Sequence, residues 1–149
     1  MRLSTRTRYG VRAMVQLAEH YGQGPLQIKS IAENQDISVK YLEQLITMLK
    51  SGGFVRSIRG AKGGYMLVKP PEEIKVSGIF AALEGPLVTI ECVDDEEACE
   101  RAQDCATREV WAKMHTAIMR VLDSISLADI VKRSLELHKK GKKYPEYQI

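Results

Sequence analysis

Apolar residues recur along the first fifty positions at intervals of three and four, the spacing that lines one face of an α-helix. Val11, Met14, Val15, Ala18 and Tyr21 form such a stripe between residues 5 and 21, with Arg6, Arg8, Arg12 and Gln16 opposite. Gly22, Gly24 and Pro25 end that helix. A shorter helix buries Ile28, Ile31 and Ala32 and stops near Asn34-Gln35-Asp36. Ser38 is placed to cap a third, whose Leu42, Leu45, Ile46 and Leu49 repeat as i, i+3, i+4, i+7 and face a core, until Gly52 and Gly53 close it. The period then changes. Residues 54–59 and 65–68 are short apolar and β-branched runs around Gly60-Ala61-Lys62-Gly63-Gly64, which predicts a hairpin with a glycine-rich tip.

Pro70-Pro71 marks the exit from the hairpin, and a short helix is expected over Ser77 to Glu84, ended by Gly85-Pro86. Residues 87–90 are expected to be extended. Trp111, Met114, Ile118, Val121 and Ile125 are spaced 3, 4, 3, 4, a heptad-like seam on one long helix. The preceding unit is small, so this seam is expected to pair with its copy in a homodimer. Ser126-Leu127-Ala128-Asp129 has the form of a capping box with Asp in place of Glu, starting a final short helix over Ile130 to Leu137.

The predicted fold class is mainly α with a small β-hairpin wing. A winged helix-turn-helix unit occupies residues 1–85 and a cysteine-bearing loop 86–105. The dimerisation helix and short terminal helix take 106–137, and a flexible basic tail takes 138–149. In a helix-turn-helix the third helix turns its polar face to the major groove, and that face holds Lys40, Glu43, Gln44 and Thr47. By hydrogen-bonding pattern Gln44 suits adenine and Lys40 guanine, while Glu43 can accept from a cytosine amino group or repel phosphates at a wrong site. In the wing, Arg59 and Lys62 supply charge, and Gly60 lets the backbone approach a phosphate or the minor groove.

Charge distribution supports a polyanion partner for the N-terminal part. Residues 1–69 hold eleven Lys/Arg against four Asp/Glu, whereas 91–104 hold seven acidic residues against Arg101 alone. Double-stranded DNA is the expected partner, because each phosphate neutralised releases condensed counterions. No apolar run approaches the ~18 residues of a membrane helix, and the N-terminus does not have the form of a signal peptide. A soluble cytoplasmic protein with no membrane partner is therefore expected. No nucleophile, base and oxyanion set is present, and Gly60 to Gly64 lacks the strand-then-helix context of a phosphate loop, so an enzyme is not expected.

Cys92, Cys99 and Cys105 lie within fourteen residues as C-x6-C-x5-C and are the only cysteines. An odd number argues against a disulfide framework. Thiolates are soft ligands for iron-sulfur clusters, zinc or copper(I). Structural zinc ordinarily takes four Cys/His ligands at tighter spacing, and His20, His115 and His138 are not near these cysteines in sequence. An iron-sulfur cluster, structural zinc and free redox-active thiols are the three readings of this segment.

Together these strings resemble one group, the Rrf2 family of bacterial regulators. The resemblance runs from Met1-Arg2-Leu3-Ser4 and Arg8-Tyr9-Gly10 through Ile37-Ser38 and Tyr41-Leu42-Glu43-Gln44-Leu45 to Arg59-Gly60-Ala61-Lys62-Gly63-Gly64-Tyr65. It continues into the cysteines, Val110-Trp111 and Ser126-Leu127-Ala128-Asp129. The recognition helix and the start of the chain resemble the IscR type most.

The resemblance implies a dimer formed through the long helix and a pseudo-palindromic operator. It adds Arg2, Ser38 and Tyr41 to the DNA-contacting set. It implies an iron-sulfur cluster on the three cysteines, with 2Fe-2S favoured over 4Fe-4S; members lacking these cysteines work through a partner protein. Arg108 departs from the pattern, standing where IscR-like members place a histidine ligand. Another departure is Arg8, at the position where other members supply a carboxylate from the second subunit. Asp104, Glu109, Glu33 across the dimer, or a small exogenous molecule remain for the fourth position. Lys40 replaces a small hydroxyl residue, so operator preference does not carry over. Two alternatives stand beside this reading: a cluster-free regulator controlled by thiol oxidation or a partner enzyme, and an iron-sulfur carrier protein.

Overall fold

Ser4 opens the first helix, its hydroxyl accepting the Thr7 amide at 3.1 Å in the manner of an N-cap. The structure is a computed structural model and describes residues 3–86 and 91–141. Helix α1 (Thr5–Glu19) is followed by α2 (Ile28–Gln35) and α3 (Val39–Ser51). Asp36 turns the chain between α2 and α3 at φ +52°, a left-handed conformation that Asp tolerates better than most side chains. Ser38 caps α3 through the Tyr41 amide at 3.1 Å, as the sequence predicts.

The hairpin pairs β1 (Val55–Ile58) with β2 (Gly64–Leu67), antiparallel, with Val55 opposite Leu67 and Ile58 opposite Gly64. Tyr65 also exchanges backbone hydrogen bonds with Leu26, at 2.9 and 3.0 Å, so the link between α1 and α2 borders the wing. A Cβ on Gly64 would lie 2.4 Å from the Leu26 carbonyl oxygen, so only glycine permits that approach. The fold is mainly helical with a two-stranded wing, as expected.

Helix α4 (Val76–Glu84) packs against α1 and α3. Met14, Leu17, Ile31, Leu42, Leu45, Ile46 and Leu49 from the first three helices, Val55 and Leu67 from the wing, and Ile79 and Leu83 from α4 form one buried cluster. Gly10 lets α1 and α4 close up, since a Cβ there would sit 2.4 Å from Leu83 Cδ1. Downstream come α5 (Glu91–Asp94), two 3-10 turns at Glu96–Ala98 and Ala102–Asp104, α6 (Ala106–Ser124) and α7 (Leu127–Gly141). The α6–α7 corner is tied to the start of α4 by Val76 N–H to the Ile125 carbonyl and Leu127 N–H to the Ile74 carbonyl, at 3.0 and 2.8 Å.

Several expectations need correction. Helix α1 ends at Glu19, so Tyr21 falls outside its stripe and is exposed. Ile28 is only half-buried. Ile125 is extended at φ −102°, ψ 122°, just beyond α6, so the seam on that helix ends at Val121. The Ser126/Asp129 box forms reciprocally: Ser126 N–H and Oγ donate to Asp129 Oδ2 at 2.8 and 2.7 Å, and Asp129 N–H donates to Ser126 Oγ at 3.1 Å. The helix it starts is not short, running to Gly141 through the first residues of the expected tail. The extended segment expected at 87–90 and the last residues of the tail, 142–149, lie outside the described residues.

Glu84, the last residue of α4, accepts from the Ser4 and Thr7 hydroxyls, with the Arg6 guanidinium 3.5 Å away. Those two hydroxyl bonds, helped by Arg6 and opposed by partial burial, hold its carboxyl below the ordinary 4.5. A depressed carboxylate stabilises the fold above its unfolded value and loses that contribution as pH falls through the folded value. Thermal melts along an acidic series should therefore show Tm falling below about pH 4.5 in the wild type. The fall should be shallower in Glu84→Gln; an identical slope would mean this contact carries none of the acid sensitivity.

Candidate nucleic-acid interface and cysteine segment

The outer face of α3 follows from the burial of its inner one. Leu42, Leu45, Ile46 and Leu49 point into the core, so Lys40, Glu43, Gln44 and Thr47 are exposed along the other side. Thr47 donates its hydroxyl hydrogen back to the Glu43 carbonyl at 2.8 Å. Tyr41, half-buried, meets Tyr9 edge-on with ring centroids 6.2 Å apart, and Arg12 lies over the Tyr9 ring at 5.5 Å. These contacts lock the first turn of the third helix onto the first helix. They were not legible in the sequence, although Tyr9 and Tyr41 are both conspicuous on it.

At the wing tip the Gly63 amide donates to the Gly60 carbonyl at 3.0 Å, and Gly60 adopts φ +115°. Arg59, Gly60 and Lys62 are exposed there. Lys50 donates to Ser57 Oγ at 3.2 Å, bracing the wing against the end of α3. Among the described residues no carboxylate pairs with Lys40, Arg59 or Lys62, which leaves their charge available to a phosphate. Arg2 lies outside the described residues.

The cysteines sit on the segment that joins α4 to α6. Cys92 is on α5, Cys99 follows the first 3-10 turn and Cys105 is the N-cap of α6; all three are half-exposed free thiols. Turns and α5 pack on one another and on α6, making one small acidic lobe. Cys105 Sγ lies 3.2 Å from Thr107 Oγ1, and that hydrogen bond, with the Arg108 amide next, lowers its thiol below the ordinary 9.0. Arg108 donates from Nε to the Cys92 carbonyl at 2.6 Å and from Nη2 to Glu96 Oε1 at 2.9 Å.

Among the described residues no three Cys, His, Asp or Glu side chains converge tightly enough to hold one metal ion. By donor type the segment fits a thiolate-held iron-sulfur cluster. By position, the three thiols sit on α5, after the first 3-10 turn and at the N-cap of α6. Of the fourth-ligand candidates, Asp104 and Glu109 are exposed at the foot of α6, and Glu33 is exposed on α2.

Helix α6 has no buried residue over its nineteen positions. Val110, Trp111, Met114 and Val121 are 56, 37, 40 and 56% exposed. With half-buried Ile118 they share one face by their spacing. No helix among the described residues is long and apolar enough to cross a membrane.

A three-helix unit with a polar outer face on its third helix, followed by a basic hairpin, defines a winged helix-turn-helix DNA-binding regulator. The chain belongs to the Rrf2 family, described as Iron-dependent Transcriptional regulator, whose pattern matches residues 3–133. It is accordingly a transcription regulator and not an enzyme. The HTH-type transcriptional regulator CymR of Bacillus subtilis is 43% identical over 130 residues, covering 87% of this chain and 89% of the relative. The solved structure of CymR, the global cysteine regulator of B. subtilis, superposes with a TM-score of 0.75 at 41% identity over 89% of this chain and 98% of the other. That of T. potens IscR gives 0.73 at 45% identity over 90% and 88%. IscR of Serratia proteamaculans is 37% identical over 131 residues, 88% of this chain and 79% of the relative, so overall identity does not sort the chain between the CymR and IscR types.

Proposed function

We propose that the chain is a homodimeric transcription regulator that reads a pseudo-palindromic double-stranded operator with α3 and the wing. Cys92, Cys99 and Cys105 hold an iron-sulfur cluster, 2Fe-2S in preference to 4Fe-4S, and the state of that site sets DNA binding. The observation that carries the sensing role is the segment itself: three thiols within fourteen residues, half-exposed, on a lobe packed against the foot of α6. A bound cluster supplies a redox-active, labile inorganic centre.

The chain's own residues do the rest. Residues 1–85 form the reading head, 86–105 the sensing segment and 106–137 the dimer elements. Cys105 caps α6, so tightening of the three thiols acts directly on the end of the helix that sets the two heads apart. Two-fold readers need recognition helices about 34 Å apart, and a small rotation of α6 moves them off register. Seven carboxylates on the same segment add negative charge around an anionic site and oppose its reduction.

A second reading is favoured by a specific observation. Thr107 and the start of α6 favour the Cys105 thiolate, and no three donors converge in the described arrangement. Direct thiol oxidation, without a cluster, would then set DNA binding.

Anaerobic purification followed by iron and acid-labile sulfide analysis separates the two. Coloured protein, loss of colour in each of Cys92→Ala, Cys99→Ala and Cys105→Ala, and an operator affinity that changes about tenfold or more on iron removal support the first. Colourless protein whose gel shift responds to a thiol oxidant supports the second. Operator binding that is equal in every state removes both.

A further inference from the structure

We propose that Arg108 is a positioning residue that clasps the cysteine segment to the dimer helix; this deepens the sensing role proposed above and rests on it. Arg108 occupies the second half of the first turn of α6, and its side chain is only 22% exposed. It meets the segment at both ends. Its backbone N–H donates to the Cys105 carbonyl at 3.1 Å, and its Nε donates to the Cys92 carbonyl at 2.6 Å. Nη2 reaches Glu96 between them at 2.9 Å. One residue therefore closes a fourteen-residue loop whose two termini are the outer cysteines.

The chemistry of the side chain suits this task. A guanidinium presents donors in a fixed planar fork, so it can hold a main-chain carbonyl and a carboxylate together, which a lysine ammonium cannot do with the same geometry. The Glu96 arm is weak, since that carboxylate is 63% exposed and solvent screens the pair. The Cys92 arm is the stronger one, because a charged donor meets a carbonyl, and it fixes backbone rather than a mobile side chain. Among the described residues no other basic side chain pairs with the acidic run: Arg101 lies within it, and Lys113 is more than a turn further along α6. Any change that draws Cys92 toward Cys99 must pull against the clasp, and the pull is delivered to the first turn of α6.

Amide hydrogen exchange on metal-free protein tests this without any cluster. Arg108→Ala should raise exchange by about tenfold across 92–98 and in the first turn of α6, while α1 to α4 keep their wild-type protection. Arg108→Lys, which keeps the charge but loses the fork, should recover less than half of the lost protection. Glu96→Gln should change it little. Wild-type exchange in Arg108→Ala, or full recovery in Arg108→Lys, would overturn the clasp. A wild-type protein that proves free of iron would sink the cluster reading and leave this measurement intact.

Discussion

Met114→Asp combined with Val121→Asp should yield a folded monomer that binds operator DNA about a hundredfold to ten-thousandfold more weakly, the range lost when two linked binding events become separate ones. The expectation starts from α6, which carries Val110, Trp111, Met114 and Val121 in water although the rest of the chain has a well-formed core. Burying a large apolar side chain contributes about 1.5–3 kcal/mol. Four such residues from each of two copies, 37–56% exposed, have about half of that left to gain, roughly 6–11 kcal/mol gross, which is on the scale of the ~4–15 kcal/mol that association costs. Two aspartates at the centre of that face put unpaired carboxylates in it, and neither position touches the core, so the reading head should keep its Tm. Sedimentation velocity measures the mass and gel shifts the affinity. A dimer that persists with both aspartates in place would move the interface to another surface.

Periodicity carried the reading of the head, and its failures have definite causes. Buried faces in α1 and α3 repeat at helical intervals, and Ser38 has both a hydroxyl and a free amide within reach, so helix starts were legible. Ile125 shows two signals in conflict. Its spacing continues the heptad of α6, yet it directly precedes a capping box that requires non-helical backbone at Ser126. The box won, because its three hydrogen bonds and the tie to α4 need the chain to turn there.

The end of α7 lies beyond the expected Leu137 for the opposite reason. The basic run after Leu137 looked like a solvated tail, but Lys and His are acceptable helix residues and no glycine stops the helix before Gly141. In the cysteine segment, no hydrophobic period exists to read. Three thiols in a row of acids reveal which chemistry is available, whereas α5, the 3-10 turns and the Arg108 bonds depend on contacts sixteen and twelve residues apart. Nor does any local signal link Glu84 to Ser4 across eighty residues.

Arg59→Ala should weaken operator binding by about a hundredfold in the dimer, through the loss of ~1.4 kcal/mol at each of two wings. Arg59 leaves β1 at the turn into Gly60, exposed and without a carboxylate partner among the described residues. The hairpin is braced from behind by the Leu26–Tyr65 hydrogen bonds and the Lys50–Ser57 contact, so the guanidinium is presented from a fixed platform. If it neutralises one phosphate per half-site, the slope of log affinity against log salt should flatten by about two units for the dimer. Arg59→Lys keeps the charge and should keep the slope, yet it should lose affinity if the flat guanidinium is inserted in a narrow minor groove. Titrations of operator and unrelated DNA at several salt concentrations separate the cases. Equal loss on both DNAs marks a phosphate contact, greater loss on the operator marks groove readout, and an unchanged slope in Arg59→Ala would take the wing off the DNA.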